Sequence, residues 1–233
     1  MFNTKFVDFL KVINKVTNGI VLNYPVTVGK TDCSDIGFKF DISQFDDSAF
    51  DSAVGFVDLA SFLNVFSLVE EPEVEYSEGV VTVKDKETTI RYITSAVDMI
   101  SQYQFSPKQF EIMEGIPSVV EIPLTANDIR KIKAAKASFK ELNTIVLNAS
   151  EQVTIALTQV GKFNLSSNSF VINKDIASDK NFSVNMSIDT FNKIPVVDYT
   201  IKVKYNPDKN QYRLLLTADN IPGFELFVST IVF

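Results

Sequence analysis

A six-residue phrase occurs twice in this chain. Asn18-Gly19-Ile20-Val21-Leu22-Asn23 and Asn143-Thr144-Ile145-Val146-Leu147-Asn148 agree at five of six positions and lie 125 residues apart. Each copy follows a segment whose apolar residues recur at helical spacing. Each is followed by strand-like runs, a short second helix (58–69 in the first copy, about 187–193 in the second) and more strands. A short identity alone can arise by chance, and the shared order of elements weighs more. The repeat predicts an α+β fold: two copies of one domain. The expected boundaries are 1–104 and 124–233, joined by a connector over 105–123. Halves of roughly 100–120 residues are large enough to bury their own cores.

Along the first half, Phe6, Phe9, Leu10, Ile13 and Val16 predict a helix that Asn3 or Thr4 caps. Ile20 begins a strand, and short strands follow to Phe56, with breaks at Pro25, Gly29 and Gly37. Asp58 to Val69 reads as a second helix ended by Pro72. Strands are expected at Glu73–Tyr76, Val80–Val83, Thr88–Ile93 and Val97–Tyr103, with a turn at Gly79. Pro107, Gly115, Pro117 and Pro123 make 105–123 read as extended. The pattern then restarts. Thr125 and Asp128 form a candidate capping box, and a helix carrying Ile129, Ile132, Ala135, Phe139 and Leu142 runs to about Glu141. In the second half, strands Tyr199–Tyr205 and Tyr212–Thr217 flank the turn 206–210.

Composition excludes most catalysis. Among 233 residues there is no His and one Cys. That removes Ser-His-Asp and Cys-His nucleophile systems, His-ligated zinc, a disulfide and any cysteine cluster. Cys33 reads as an incidental thiol in a reducing cytoplasm. Gly29-Lys30-Thr31 resembles the end of a P-loop, but Tyr24 stands where the motif needs its first Gly. The acidic runs Asp46-Asp47-Asp51 and Glu70-Glu71-Glu73-Glu75 lack the alternating ligands of a calcium loop. No cofactor, no metal and no enzymatic activity are expected. The 20 Phe sit mostly at strand or helix periodicity beside aliphatic residues and read as core, in preference to base-stacking platforms. Neither a leader segment nor an apolar run long enough to span a membrane is evident, so no membrane partner is expected.

The net charge of −7 is unevenly placed. The first helix carries Lys5, Lys11 and Lys15 against Asp8, a sum of +2. The helix after the connector carries Arg130, Lys131, Lys133, Lys136 and Lys140 against Asp128 and Glu141, a sum of +3. Corresponding elements of the two copies are thus basic in an otherwise acidic chain. For either helix alone, a solvated polar face explains the charge. Both together point to a surface along which phosphates pass, met as charges without base reading.

These residues bear a family resemblance. Asp58-Leu59-Ala60-Ser61-Phe62-Leu63 with Ser67-Leu68-Val69, the run Gly79 to Asp85 with Thr88-Thr89-Ile90, the helix followed by Asn18-Gly19-Ile20-Val21-Leu22, and Phe105-Ser106-Pro107-Lys108 through Pro123 are similar to the sliding clamps of DNA replication. The similarity is specifically to those of T-even-type bacteriophages, within the PCNA-like clamp superfamily. It covers most of residues 1–145 and beyond 150 rests on the order of elements. The resemblance implies a DNA-clamp fold, each domain with helices on one face of antiparallel sheets, and a closed homotrimeric ring whose helices line a hole. DNA-facing residues would be Lys5, Lys11, Lys15, Arg130, Lys131, Lys133, Lys136, Lys140 and Lys193, the last being the one base near the fourth helix. It also implies that Phe110, Ile112, Met113, Ile116, Val119 and Val120, in or beside the connector, serve partner binding. The alternative is that these residues only pin the connector to the sheets. The implied partners are double-stranded DNA of any sequence, a replicative DNA polymerase, an ATP-dependent clamp loader and further copies of the chain. The implied location is the cytoplasm of an infected bacterial host. A virion structural protein with duplicated β-rich domains is the competing expectation.

Overall fold

The computed structural model describes residues 3–45, 52–159, 168–178 and 180–231. It divides into two compact units. The first is Met1–Phe110 with Pro222–Phe224, and the second is Glu111–Ile221 with Glu225–Phe233.

In the first unit, α1 (Thr4–Ile13) starts where the Asn3 side chain accepts a hydrogen bond from the Phe6 N–H at 2.9 Å. Its Phe6, Val7, Phe9, Leu10 and Ile13 are buried, as the spacing requires. β1 (Ile20–Leu22) pairs antiparallel with β4 (Val54–Phe56), and β2 (Val26–Lys30) with β3 (Ile36–Asp41). α2 (Leu59–Phe66), capped by Asp58, packs beside α1. β5 (Glu73–Ser77), β6 (Val80–Lys84) and β7 (Thr89–Ile93) form an antiparallel meander. Its first turn places Glu78 and Gly79 at positive φ, as a two-residue hairpin demands. The core is aromatic. Phe9 meets Phe40 edge-on at 4.9 Å and Phe224 at 5.3 Å, and Phe56 meets Phe62 at 4.3 Å.

Several expectations are corrected here. Gly29 and Gly37 lie inside β2 and β3 and break nothing; Gly29 pairs with Phe38, whose ring fills the space a side chain would need. α2 ends at Phe66, six residues before Pro72, when Ser67 closes the last turn. Val97–Tyr103 is a kinked 3₁₀ segment, not a strand. Its apolar residues Val97, Ile100 and Tyr103 recur every third residue, the 3₁₀ period, and pack with Val21. The segment 105–123 is not extended throughout. It holds α3 (Pro107–Gly115) and most of β8 (Ser118–Leu124). Pro107 opens α3 because the first helical turn needs no N–H there.

In the second unit, β8, β13 (Tyr199–Asn206), β14 (Gln211–Ala218) and β15 (Glu225–Val228) pair in the order β8-β13-β14-β15. β11 (Phe170–Ala177), β10 (Gln152–Thr158), β9 (Thr144–Ala149) and β12 (Phe182–Ser187) form a second sheet in that order. α4 (Ala126–Ser138) packs on β10 and β11, and α5 (Ile188–Asn192) on β9 and β12. The Thr125–Asp128 capping box is present. α4 stops at Ser138, three residues earlier than expected, with Phe139 leaving the helical region.

The repeat is visible in hydrogen bonds. The Asn18 carbonyl accepts from the Leu59 N–H at 2.7 Å, at the first residue of α2. The Asn143 carbonyl accepts from the Ile188 N–H at 3.0 Å, at the first residue of α5. β1 and β9 each pair with the strand that leads into those helices. The one mismatch in the repeated phrase, Gly19 against Thr144, also has a cause: the Tyr103 ring stands where a side chain at residue 19 would begin.

Candidate nucleic-acid interface

α1 buries one face, so Lys5, Asp8, Lys11 and Lys15 fall on the solvent side, and all four are exposed. Lys11 Nζ donates to Asp8 Oδ1 at 2.8 Å, an exposed pair that contributes little to stability. Lys5 and Lys15 carry the remaining charge of this face. Lys15 lies in the turn after α1. α2, between Asp58 and Ser67, holds no charged residue.

α4 is held at three points. Asp128 Oδ2 accepts from Thr125 N at 2.9 Å, Thr125 Oγ1 at 2.8 Å and Lys174 Nζ at 2.6 Å. Asp198 Oδ1 accepts from the Ala126 N–H at 2.7 Å, satisfying a donor at the helix N-terminus. Burial opposes ionisation of Asp128, but the hydrogen bonds from Lys174 and Thr125 outweigh it and hold the carboxyl below the usual carboxylate range. The third point is Lys133. Its Nζ donates to the Asn192 carbonyl at 3.0 Å and the Ile194 carbonyl at 2.8 Å, closing the C-terminal end of α5. Burial pushes the Lys133 ammonium pKa down.

The basic residues assigned to α4 therefore separate. Arg130 and Lys131 are exposed on the helix, and Lys140 is exposed just past its end. Lys133 and Lys136 are half-buried, and Lys136 Nζ donates to the Lys140 carbonyl at 2.6 Å. Lys193 is the half-buried C-cap residue of α5.

The apolar residues assigned to partner binding also separate. Phe110 is only 1% exposed; it lies edge-on to Phe105 at 6.2 Å, with Lys39 Nζ 5.6 Å from its ring centre. Its ring belongs to the interior of the first unit. Ile112 on α3 is 57% exposed, while Met113, Ile116, Val119 and Val120 are half-buried. The turn that carries them is fixed by Lys204, which sequence reading missed. Its Nζ is buried and donates to the carbonyls of Glu114 at 2.8 Å and Ile116 at 2.5 Å. Burial and the nearby Lys202 push the Lys204 ammonium down, against the opposing pull of Glu225, Glu114 and Glu121. Lys174 was missed too, although it left a trace: it interrupts the alternating series Phe170, Ile172, Lys174, Ile176 on one face of β11.

The remaining motifs resolve simply. Gly29 and Lys30 run through β2 into the hairpin with β3, so the strand-to-helix context of a phosphate loop is absent there. Glu70, Glu71 and Glu73 line a cavity of about 790 Å³ with Leu68, Asp85, Glu87, Thr88 and two lysines, Lys84 and Lys86. Among the described residues no group of three or more acids, histidines or cysteines is arranged to hold a metal. The run Asp46-Asp47-Asp51 lies outside them. Cys33 Sγ lies 3.0 Å from Asp35 Oδ1. No helix among the described residues is long and apolar enough to cross a membrane.

Taken together, the two units and their shared order of elements give a fold like that of the DNA sliding clamps. The particular neighbours are solved clamp structures. PCNA of A. fulgidus, in a structure with the C-terminal region of FEN-1, superposes at a TM-score of 0.66 with 12% identity, covering 97% of this chain and 95% of that one. PCNA of Entamoeba histolytica gives 0.67 with 8% identity, over 98% and 95%. The DNA polymerase III β subunit of Pseudomonas aeruginosa gives 0.62 with 9% identity, over 98% of this chain and 63% of that one. At these identities the likeness is one of fold. No protein-family model and no curated protein sequence matches the chain.

Proposed function

We propose that this chain is a non-enzymatic sliding clamp that encircles duplex DNA and tethers a replicative polymerase. The observation that carries the reading is the coincidence of two facts. The clamp fold extends over nearly the whole chain. The positive charge of an acidic protein is concentrated on α1 and α4, the corresponding helices of its two units. Diffuse cations on helix faces meet phosphates of any sequence weakly, typically at ~10⁻⁴–10⁻⁶ M, and so permit sliding. Retention then comes from encirclement, and the acidic remainder discourages DNA from binding elsewhere.

In this reading three copies close head to tail through sheet edges. β7 and β11 are suited to it: among the described residues each pairs with one strand only, and Ile93 and Val171 on them are exposed. An ATP-dependent loader opens the ring, and the polymerase docks on the apolar surface around Ile112. The T-even-type phage origin and the cytoplasm of the infected host belong to the same proposal. The virion-protein reading draws on no observation of the structure. Native mass spectrometry tests the assembly. We expect a species of three times 26.1 kDa, and a monomer at all concentrations would overturn the ring.

A further inference from the structure

The basic residues of α4 are not equivalent, and their differences assign them different work. We propose that Lys133 is a positioning residue that fixes α4 against the end of α5, and that phosphate contact on α4 falls to Arg130 and Lys131. The inference rests on the clamp reading and refines it by dividing the basic residues of α4.

An ammonium has three N–H donors. Lys133 uses two of them on the Asn192 and Ile194 carbonyls, at 3.0 and 2.8 Å. Asn192 is the last residue of α5 and Ile194 lies two residues past it, so both carbonyls sit at the negative end of that helix without helical partners. One N–H remains, but carrying Nζ out to a phosphate would break both bonds and return those carbonyls to water. Lys133 is half-buried, so its stem is already packed. Arg130 and Lys131, by contrast, are exposed and make no described hydrogen bond or ion pair, so their donors are available. The negative helix end matters for function as well. Left uncapped beside a basic surface, the α5 carbonyls would repel the phosphates that surface is meant to attract. Lys133 cancels that repulsion without itself binding DNA.

Counterion release gives a readout that distinguishes the two roles. Each lost phosphate contact lowers the slope of log K against log [salt] by about 0.9. Binding of the full-length protein to a short fluorescent duplex is measured by anisotropy over a range of salt. Arg130→Ala and Lys131→Ala should each reduce the slope by about that amount. Lys133→Met should leave the slope at the wild-type value, while any loss of affinity is the same at every salt concentration. A slope reduced by Lys133→Met as much as by Arg130→Ala would overturn the assignment.

The wild-type protein supplies a second measurement that does not depend on the variant folding. In acetylation by the N-hydroxysulfosuccinimide ester of acetic acid, followed by mass spectrometry, Lys131 should react quickly when free and be protected by duplex. Lys133 should react slowly in both states. A Lys133 that reacts quickly when free and is protected by DNA would contradict the proposal. If the wild-type protein shows no salt-dependent DNA binding even at ~10⁻⁴ M protein, the assignment of phosphate contact to Arg130 and Lys131 is overturned, whereas failure of the clamp reading is read separately, from a monomer in native mass spectrometry. Slow acetylation of Lys133 would still report its seat at the end of α5.

Discussion

Lys174 and Asp128 meet at 2.6 Å with side chains 10% and 12% exposed, and the same carboxylate closes the capping box of α4. Breaking such a buried pair leaves a charge without its counterpart, a loss of about 3–5 kcal/mol. Lys174→Met should therefore lower unfolding free energy by that order in urea titrations at pH 7, and a change under ~1 kcal/mol would show the pair to be dispensable. The pH dependence has a definite sign. Asp128 is held below the ordinary carboxylate range, so the unfolded chain binds more protons than the native one at low pH. Its contribution is present above the unfolded value near 3.9 and is lost as pH falls through the folded value. The stability gap between wild type and Lys174→Met should accordingly be narrower at about pH 3 than at pH 7. An unchanged gap would mean that Asp128 is not the titrating partner.

At the scale of elements, the repeat predicts its own exception. Gly19 differs from Thr144 because Tyr103, from the 3₁₀ segment Val97–Tyr103, occupies the adjoining space. Gly19→Thr would make the two phrases identical, yet it should destabilise by about 1–3 kcal/mol through overpacking. Thermal unfolding checks this, and an unaltered melting temperature would show that the ring moves aside freely. The same comparison shows what the sequence could reveal. α1, α4, the capping box and the hairpins were legible because caps and periodicity act over a few residues. The helical turn at Val97–Tyr103 was not, since Val97, Met99 and Tyr103 also share one face of an alternating strand. Nor was α3, where Pro107, Gly115 and Pro117 suggested extended chain although Pro107 fits a helix start. The charge of α4 was legible, and the separate settings of its basic residues were not. Lys133 differs from Arg130 through carbonyls roughly sixty residues away, and Lys204 and Lys174 act over comparable separations.

For the molecule as a whole, the net charge of −7 hides an uneven placement of charge, which the proposed ring around DNA would explain. In the function proposed above, topology replaces affinity. The most direct test of that claim is retention on DNA of different topology. The protein is loaded onto nicked circular duplex and isolated by gel filtration at about 0.2 M salt, where phosphate contacts alone are weak. Half of the sample is then cut once with a restriction enzyme. Encirclement predicts that the protein stays with the circle and slides off the linear product. Equal loss from both forms, or equal retention on both, would contradict it.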